Sequence, residues 1–127
     1  MKILIVDDDV STRLVARISL ESLGDMAVTE VDNGRDCIKM ASKEQPDCIL
    51  LDARMPELDG PATLAELERD PATSRIPVIY MTAMHGVAAL DLLNGTSAIG
   101  IIQKPFDPTM LPRQVRVLLE AAEGSRS

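Results

Sequence analysis

Aromatic side chains are almost missing from this 127-residue chain: it has no tryptophan, one tyrosine (Tyr80) and one phenylalanine (Phe106). The stacking platforms that single-stranded nucleic acid sites rely on are therefore excluded. Basic residues are also short, 13 Lys and Arg against 20 Asp and Glu, for a formal charge of -7. Binding to a phosphate backbone needs clustered cations, so direct contact with nucleic acid is not expected. No stretch approaches the roughly eighteen consecutive apolar residues of a membrane span. The chain begins MKILIV without a basic leader or cleavage site, so neither membrane insertion nor export is expected. Cysteine is limited to Cys37 and Cys48, inside apolar periodic segments and without CxxC spacing. Both read as small buried hydrophobes in a reducing compartment, which points to the cytoplasm.

With 46% hydrophobic residues, the chain can fill one core but is too short for two ordinary domains. Apolar runs of strand length occur at Lys2 to Val6, Asp25 to Val31, Asp47 to Leu51, Pro77 to Met81 and Ala98 to Ile102. Helix-length amphipathic segments separate them. Their expected core stripes are Leu14, Val15 and Ile18; Ile38 and Ala41; Leu64 and Leu67; Leu90 and Leu93; and Leu111, Val115 and Leu118. Strict strand and helix alternation predicts an α/β fold, a parallel sheet with helices on both faces, because each right-handed crossover lays its helix on the sheet. Gly24, Asn33-Gly34, Pro46 and Asp59-Gly60 punctuate the helix ends. In Asp107-Pro108 the carboxylate is expected to cap the last helix with proline in its first position. The domain is expected to span 1–122, with 123–127 a polar, frayed tail.

In a parallel alternating fold, ligands bind at the carboxyl ends of the strands. Acidic residues collect there: Asp7 and Asp8 follow the first strand, and Asp52 follows the third. If those strands are neighbours, three carboxylates converge. Together they would repel one another, so the arrangement makes sense around a cation, and an all-oxygen site suits Mg2+ or Mn2+. Asp9 is assigned to capping the following helix. Thr82 and Lys104 follow the fourth and fifth runs, adding a hydroxyl and an ammonium to the same rim. A carboxylate nucleophile, a metal and two donors for phosphoryl oxygens are the parts that phosphoryl transfer needs. Ala83 is small enough to leave the nucleophile accessible.

The motifs VDDD (6–9), LDARMPELDG (51–60), MTA (81–83) and KPF (104–106), in this order, resemble the receiver domain of two-component response regulators over essentially the whole chain. The resemblance implies a flavodoxin-like, doubly wound, five-stranded parallel sheet of order 2-1-3-4-5. It implies Asp52 as phosphoacceptor and a metal site of Asp8, of Asp7 through water, of Asp52 and of the Arg54 backbone carbonyl. Thr82 would bind the phosphoryl group and shift on activation, Lys104 would pair with it, and the bond to Pro105 would be cis. The phosphodonor would be a histidine kinase or a histidine phosphotransfer protein. The protein would be no enzyme beyond accepting and slowly losing its own phosphoryl group. With no DNA-binding segment after Arg116, its output would run through a partner protein, a weak phosphorylation-dependent dimer, or a relay; otherwise it is expected to be a monomer.

Two departures from that pattern matter. Ile101 stands where the family's switch usually has an aromatic residue three positions before the lysine. Ser97 replaces a common glycine, and Arg54 and Met84 occupy positions that influence phosphoryl lifetime. His85 reads as a polar loop residue. Two alternatives stay open. One is a haloacid-dehalogenase-like phosphohydrolase, with Asp7 as nucleophile and Asp9 as acid-base partner, although an acidic pair beyond Lys104 is lacking and Asp52 would be unused. The other is a receiver-like binding module that is never phosphorylated.

Overall fold

The computed structural model describes the backbone of residues 1–126 and the side-chain surroundings of residues 1–124. Over these residues strand and helix alternate: β1 (Lys2–Val6), α1 (Val10–Ser22), β2 (Ala27–Val31), α2 (Gly34–Glu44), β3 (Cys48–Asp52), α3 (Gly60–Arg69), β4 (Val78–Thr82), α4 (Gly86–Asp91), β5 (Gly100–Gln103) and α5 (Leu111–Arg126). The strands form one parallel sheet of order β2-β1-β3-β4-β5. Val6 lies across from Leu51, Asp52 from Met81 and Thr82 from Gln103, so the carboxyl ends of the four strands from β1 to β5 share one rim.

Side chains alternate across the pleat, and each face of the sheet has its own core. Ile3, Ile5, Leu50, Ile79 and Met81 pack against Ala16 and Leu20 of α1 and Leu111 and Val115 of α5. Leu4, Val6, Ile49, Leu51 and Tyr80 pack against Cys37 and Ala41 of α2 and Leu64 and Leu67 of α3. β3 and β4 are buried over their whole length, as central parallel strands must be. Cys37 and Cys48 are buried free thiols, and burial pushes each up to about 12.

Several local expectations are corrected. β3 and β4 begin and end one residue later than the apolar runs, because the ladder continues through Asp52 and Thr82. The Ala53 N–H reaches the Met81 carbonyl at 3.3 Å and the Lys104 N–H reaches the Thr82 carbonyl at 2.8 Å. β2 starts at Ala27, since Asp25 turns left-handed at φ 54°. That residue, not Gly24, makes the turn. Gly24 is required by space, because a Cβ there would lie 2.7 Å from the Leu20 carbonyl oxygen and 2.9 Å from Pro112.

The stripe Leu14, Val15 and Ile18 is not the buried face of α1: Leu14 is 55% and Ile18 54% exposed, while Ala16, Ser19 and Leu20 face the sheet. Leu90 of α4 is likewise exposed and Ala89 is buried. Asp107 does not cap α5 directly. Its carboxylate accepts from the Thr109 N–H and hydroxyl at 2.9 and 2.7 Å, capping a single turn that leads into α5 at Leu111. Pro112 has no N–H to offer the Pro108 carbonyl, and the buried Ser19 hydroxyl of α1 donates to it instead. α5 continues through Arg126, so residues 123–126 belong to the helix and not to a separate tail; Ser127 lies outside the described residues.

Candidate functional site

Asp7 and Asp8 follow β1 directly. Asp7 is 2% exposed and its Oδ1 accepts the Asp9 N–H at 2.9 Å, whereas Asp8 faces outward. Asp9 accepts from the Ser11 and Thr12 N–H groups, each at 3.3 Å, and from the Thr12 hydroxyl at 2.6 Å, which caps α1. Those bonds hold its carboxyl below the usual range. An Asp9 engaged in this way is poorly placed to move protons for a neighbour, which weighs against the phosphohydrolase alternative.

Asp52, the last residue of β3, is 7% exposed. Its Oδ1 accepts the Arg54 N–H at 3.3 Å, and α3 begins against its backbone. A Cβ on Gly60 would lie 2.6 Å from the Asp52 carbonyl oxygen and 2.7 Å from the Ala53 Cα, so only glycine lets α3 start there. One oxygen from each of Asp7, Asp8 and Asp52 lies within 4.8 Å of the others. Lys104 follows β5 and points its Nζ into this group, 2.6 Å from Asp7 Oδ2 and 3.5 Å from Asp52 Oδ1.

Burial, and then the charge of Asp7, push the Asp52 carboxyl up to about 6 against the counter-pull of Lys104. For Lys104, burial disfavours the ammonium, but its bond to Asp7 and the two negative charges outweigh burial and raise its pKa. Three carboxylates facing one ammonium leave uncompensated negative charge. An all-oxygen donor set of this kind fits a hard divalent cation such as Mg2+.

Thr82 is buried at the end of β4, and its Oγ1 accepts the Met84 N–H at 3.0 Å. Asp52, Arg54, Thr82, Ala83, Met84 and Lys104 line a cleft of about 270 Å3. The Lys104-Pro105 peptide is cis. Ile101 is half-buried on β5, directly across from Tyr80, so the tyrosine of this chain sits on the neighbouring strand. His85 stands at the N-cap position of α4 without a side-chain capping bond. The Ser97 N–H donates to Glu68 of α3 at 2.7 Å.

Two contributors were not legible in the sequence. Arg13 donates to the Asp7 carbonyl at 2.7 Å and to Glu30 of β2 at 3.2 Å, bracing the acidic turn. Gln103 donates to the carbonyls of Thr82 and Met84. An arginine one turn into a helix and a glutamine at a strand end are common, and no local pattern marks either.

This architecture has clear relatives. Residues 3–116 match the family model described as the response regulator receiver domain. The response regulator PleD of Caulobacter vibrioides is 36% identical over 121 residues, 92% of this chain and 26% of PleD. The probable transcriptional regulator ycf27 of Guillardia theta is 36% identical over 120 residues, 93% of this chain and 45% of that protein. The chain thus spans about half the length of ycf27, and a smaller share of PleD. Among solved structures, the receiver domain of the sensor histidine kinase PA1611 of Pseudomonas aeruginosa PAO1 is 28% identical with a TM-score of 0.83, covering 94% of this chain and 97% of that one. That structure has a magnesium ion coordinated in its active-site cleft. The chemotaxis protein CheY4 of Vibrio cholerae aligns with a TM-score of 0.84 at 25% identity, covering 92% of this chain and 97% of its own. With a family match over most of its length, this chain belongs to the response regulator receiver domains of two-component systems.

Proposed function

We propose that Asp52 accepts a phosphoryl group from a phosphohistidine on a histidine kinase or histidine phosphotransfer protein. An Asp52 oxygen bonds to phosphorus as the P–N bond to the donor imidazole breaks. The electron pair stays on that nitrogen, which takes a proton, and an acyl phosphate results. Lys104 offers an ammonium and Thr82 a hydroxyl to the phosphoryl oxygens. Mg2+, with Mn2+ as substitute, would be held by Asp7, Asp8, Asp52 and the Arg54 carbonyl, and would supply charge neutralisation at those oxygens. The observation that carries this reading is the cluster of three carboxylates around the Lys104 ammonium, with Asp52 and Lys104 also lining the cleft that holds Thr82.

The domain turns over no external substrate; it loses its own phosphoryl group slowly to water. Phosphorylation acts through the surface of α4, β5 and α5, where Val87, Leu90, Met110 and Val117 are exposed, by altering partner binding or promoting a weak dimer. A cytoplasmic setting suits the two unpaired cysteines. Among the described residues no helix is long and apolar enough to cross a membrane.

Acetyl phosphate with Mg2+ tests the reading. One phosphoryl group per chain is expected on the parent and none on Asp52→Asn. Labelling that persists in Asp52→Asn, or repeated turnover of a phosphate ester, overturns it. No labelling of the parent leaves a binding module as the better description.

A further inference from the structure

Gln103 is exposed at the last position of β5, yet its side chain is committed. Nε2 donates to the Thr82 carbonyl at 3.2 Å and also to the Met84 carbonyl, so both loop carbonyls flanking Ala83 are held by one amide. The backbone adds a third tie, from the Lys104 N–H to the Thr82 carbonyl at 2.8 Å. Within the loop, Thr82 Oγ1 accepts the Met84 N–H at 3.0 Å. The segment that carries Thr82 is therefore closed on itself and fastened to β5.

We infer that the Gln103 side chain is a latch that fastens the loop between β4 and α4 to β5 and restrains Thr82 from moving toward Asp52. The inference rests on the proposed binding of a phosphoryl oxygen by Thr82. Drawing the Thr82 hydroxyl toward a phosphoryl group on Asp52 displaces residues 82 to 84 together, because Met84 N–H is bonded to that hydroxyl. Displacing them stretches both bonds from Gln103, whose own backbone is set by the β4 to β5 ladder, where it pairs with Thr82. A neutral, partly solvated amide suits this role, since it can release two carbonyls to water without leaving a buried charge or a buried unpaired group. The latch also gives β5 a mechanical link to the loop that does not pass through Ile101, which has no polar atom on its side chain.

The test compares the parent with Gln103→Met, which keeps length and flexibility but cannot donate, and with Gln103→Leu as a second shape. Both replace an exposed side chain, so the fold is retained, and thermal melts verify it. Beryllofluoride with Mg2+ serves as the phosphoryl mimic, its affinity read by titration of amide shifts. Loss of the latch is expected to tighten beryllofluoride binding about three- to tenfold, the range set by one or two solvent-accessible hydrogen bonds. In the metal-free protein the Met84 amide should exchange with solvent faster by a similar factor, a readout that does not depend on the mimic. Unchanged affinity in both variants overturns the latch, and so does weaker binding, which would make Gln103 a brace for the phosphoryl-bound arrangement. If the parent itself binds no beryllofluoride, the proposed function falls and the latch with it. If the parent binds and the variants match it, the latch alone falls.

Discussion

Asp52 holds its proton over a pH range in which an ordinary aspartate is ionised, because its site removes water and sets Asp7 beside it. With a folded pKa of about 6 against 3.8, the folded state keeps a proton that the unfolded chain has already lost. Stability contributed by this residue therefore falls as pH rises from about 4 to about 6, and the deficit is complete above that window. Metal-free Asp52→Asn is accordingly expected to be more stable than the parent at pH 7.5, by about 1–3 kcal/mol. The gain should vanish as pH approaches 4, and urea titrations at both pH values check it. A variant less stable at pH 7.5 would mean that Lys104 overcompensates the repulsion. The identity of Asp52 was readable from the strand-end pattern, but its pKa was not. That value depends on a neighbour from β1 and on burial by chain that is distant in sequence.

The elements are placed to bring such residues to one rim, and the tightest junction is where α3 starts. Asp59 caps α3 through the Ala62 N–H at 2.9 Å, and Gly60 lies against the backbone of Asp52 and Ala53. Gly60→Ala is expected to destabilise the fold by about 1–3 kcal/mol, the usual range for overpacking. It should also slow acetyl phosphate labelling of Asp52, because the clash falls on that residue's own carbonyl. Thermal melts and labelling rates, measured together, check this; a normal melt and a normal rate would show that the junction has slack. Helix ends marked by caps were legible, as Asn33 and Asp59 illustrate. The buried face of α1 was not. Leu14, Val15 and Ile18 are the more apolar stripe, but the sheet and α5 take the smaller Ala16 and Ser19 with Leu20. Hydrophobic periodicity shows that a stripe exists and does not say which surface closes over it. Here the apolar stripe is left outside, and its Val15 lines a cleft with Ser11, Thr12, Phe106 and Lys104.

For the molecule as a whole, a net charge of -7 with three carboxylates gathered at one rim leads to the prediction that divalent metal is a stabilising ligand. A cation that binds the folded state alone at about 100 times its dissociation constant adds about 2.7 kcal/mol. Mg2+ is therefore expected to raise the melting temperature by several degrees at pH 7.5. The increment should shrink below pH 6, as Asp52 protonates and competes with the metal, and should be largely lost in Asp8→Asn. Calorimetry with and without Mg2+ at two pH values checks this, and an increment that survives acid and the Asp8 substitution would place the metal elsewhere. Alternation of strand and helix and the acidic rim follow from residue order, as does the placing of Asp52, Thr82 and Lys104 at strand ends on which their proposed roles rest. They are local facts, each read within a few positions of the chain. The Lys104 to Asp7 bond spans 97 residues, and the ties made by Arg13 and Gln103 likewise join separate elements. Such contacts exist only once strands β1, β3, β4 and β5 have aligned their ends, because pairing register, not local pattern, sets which side chains meet.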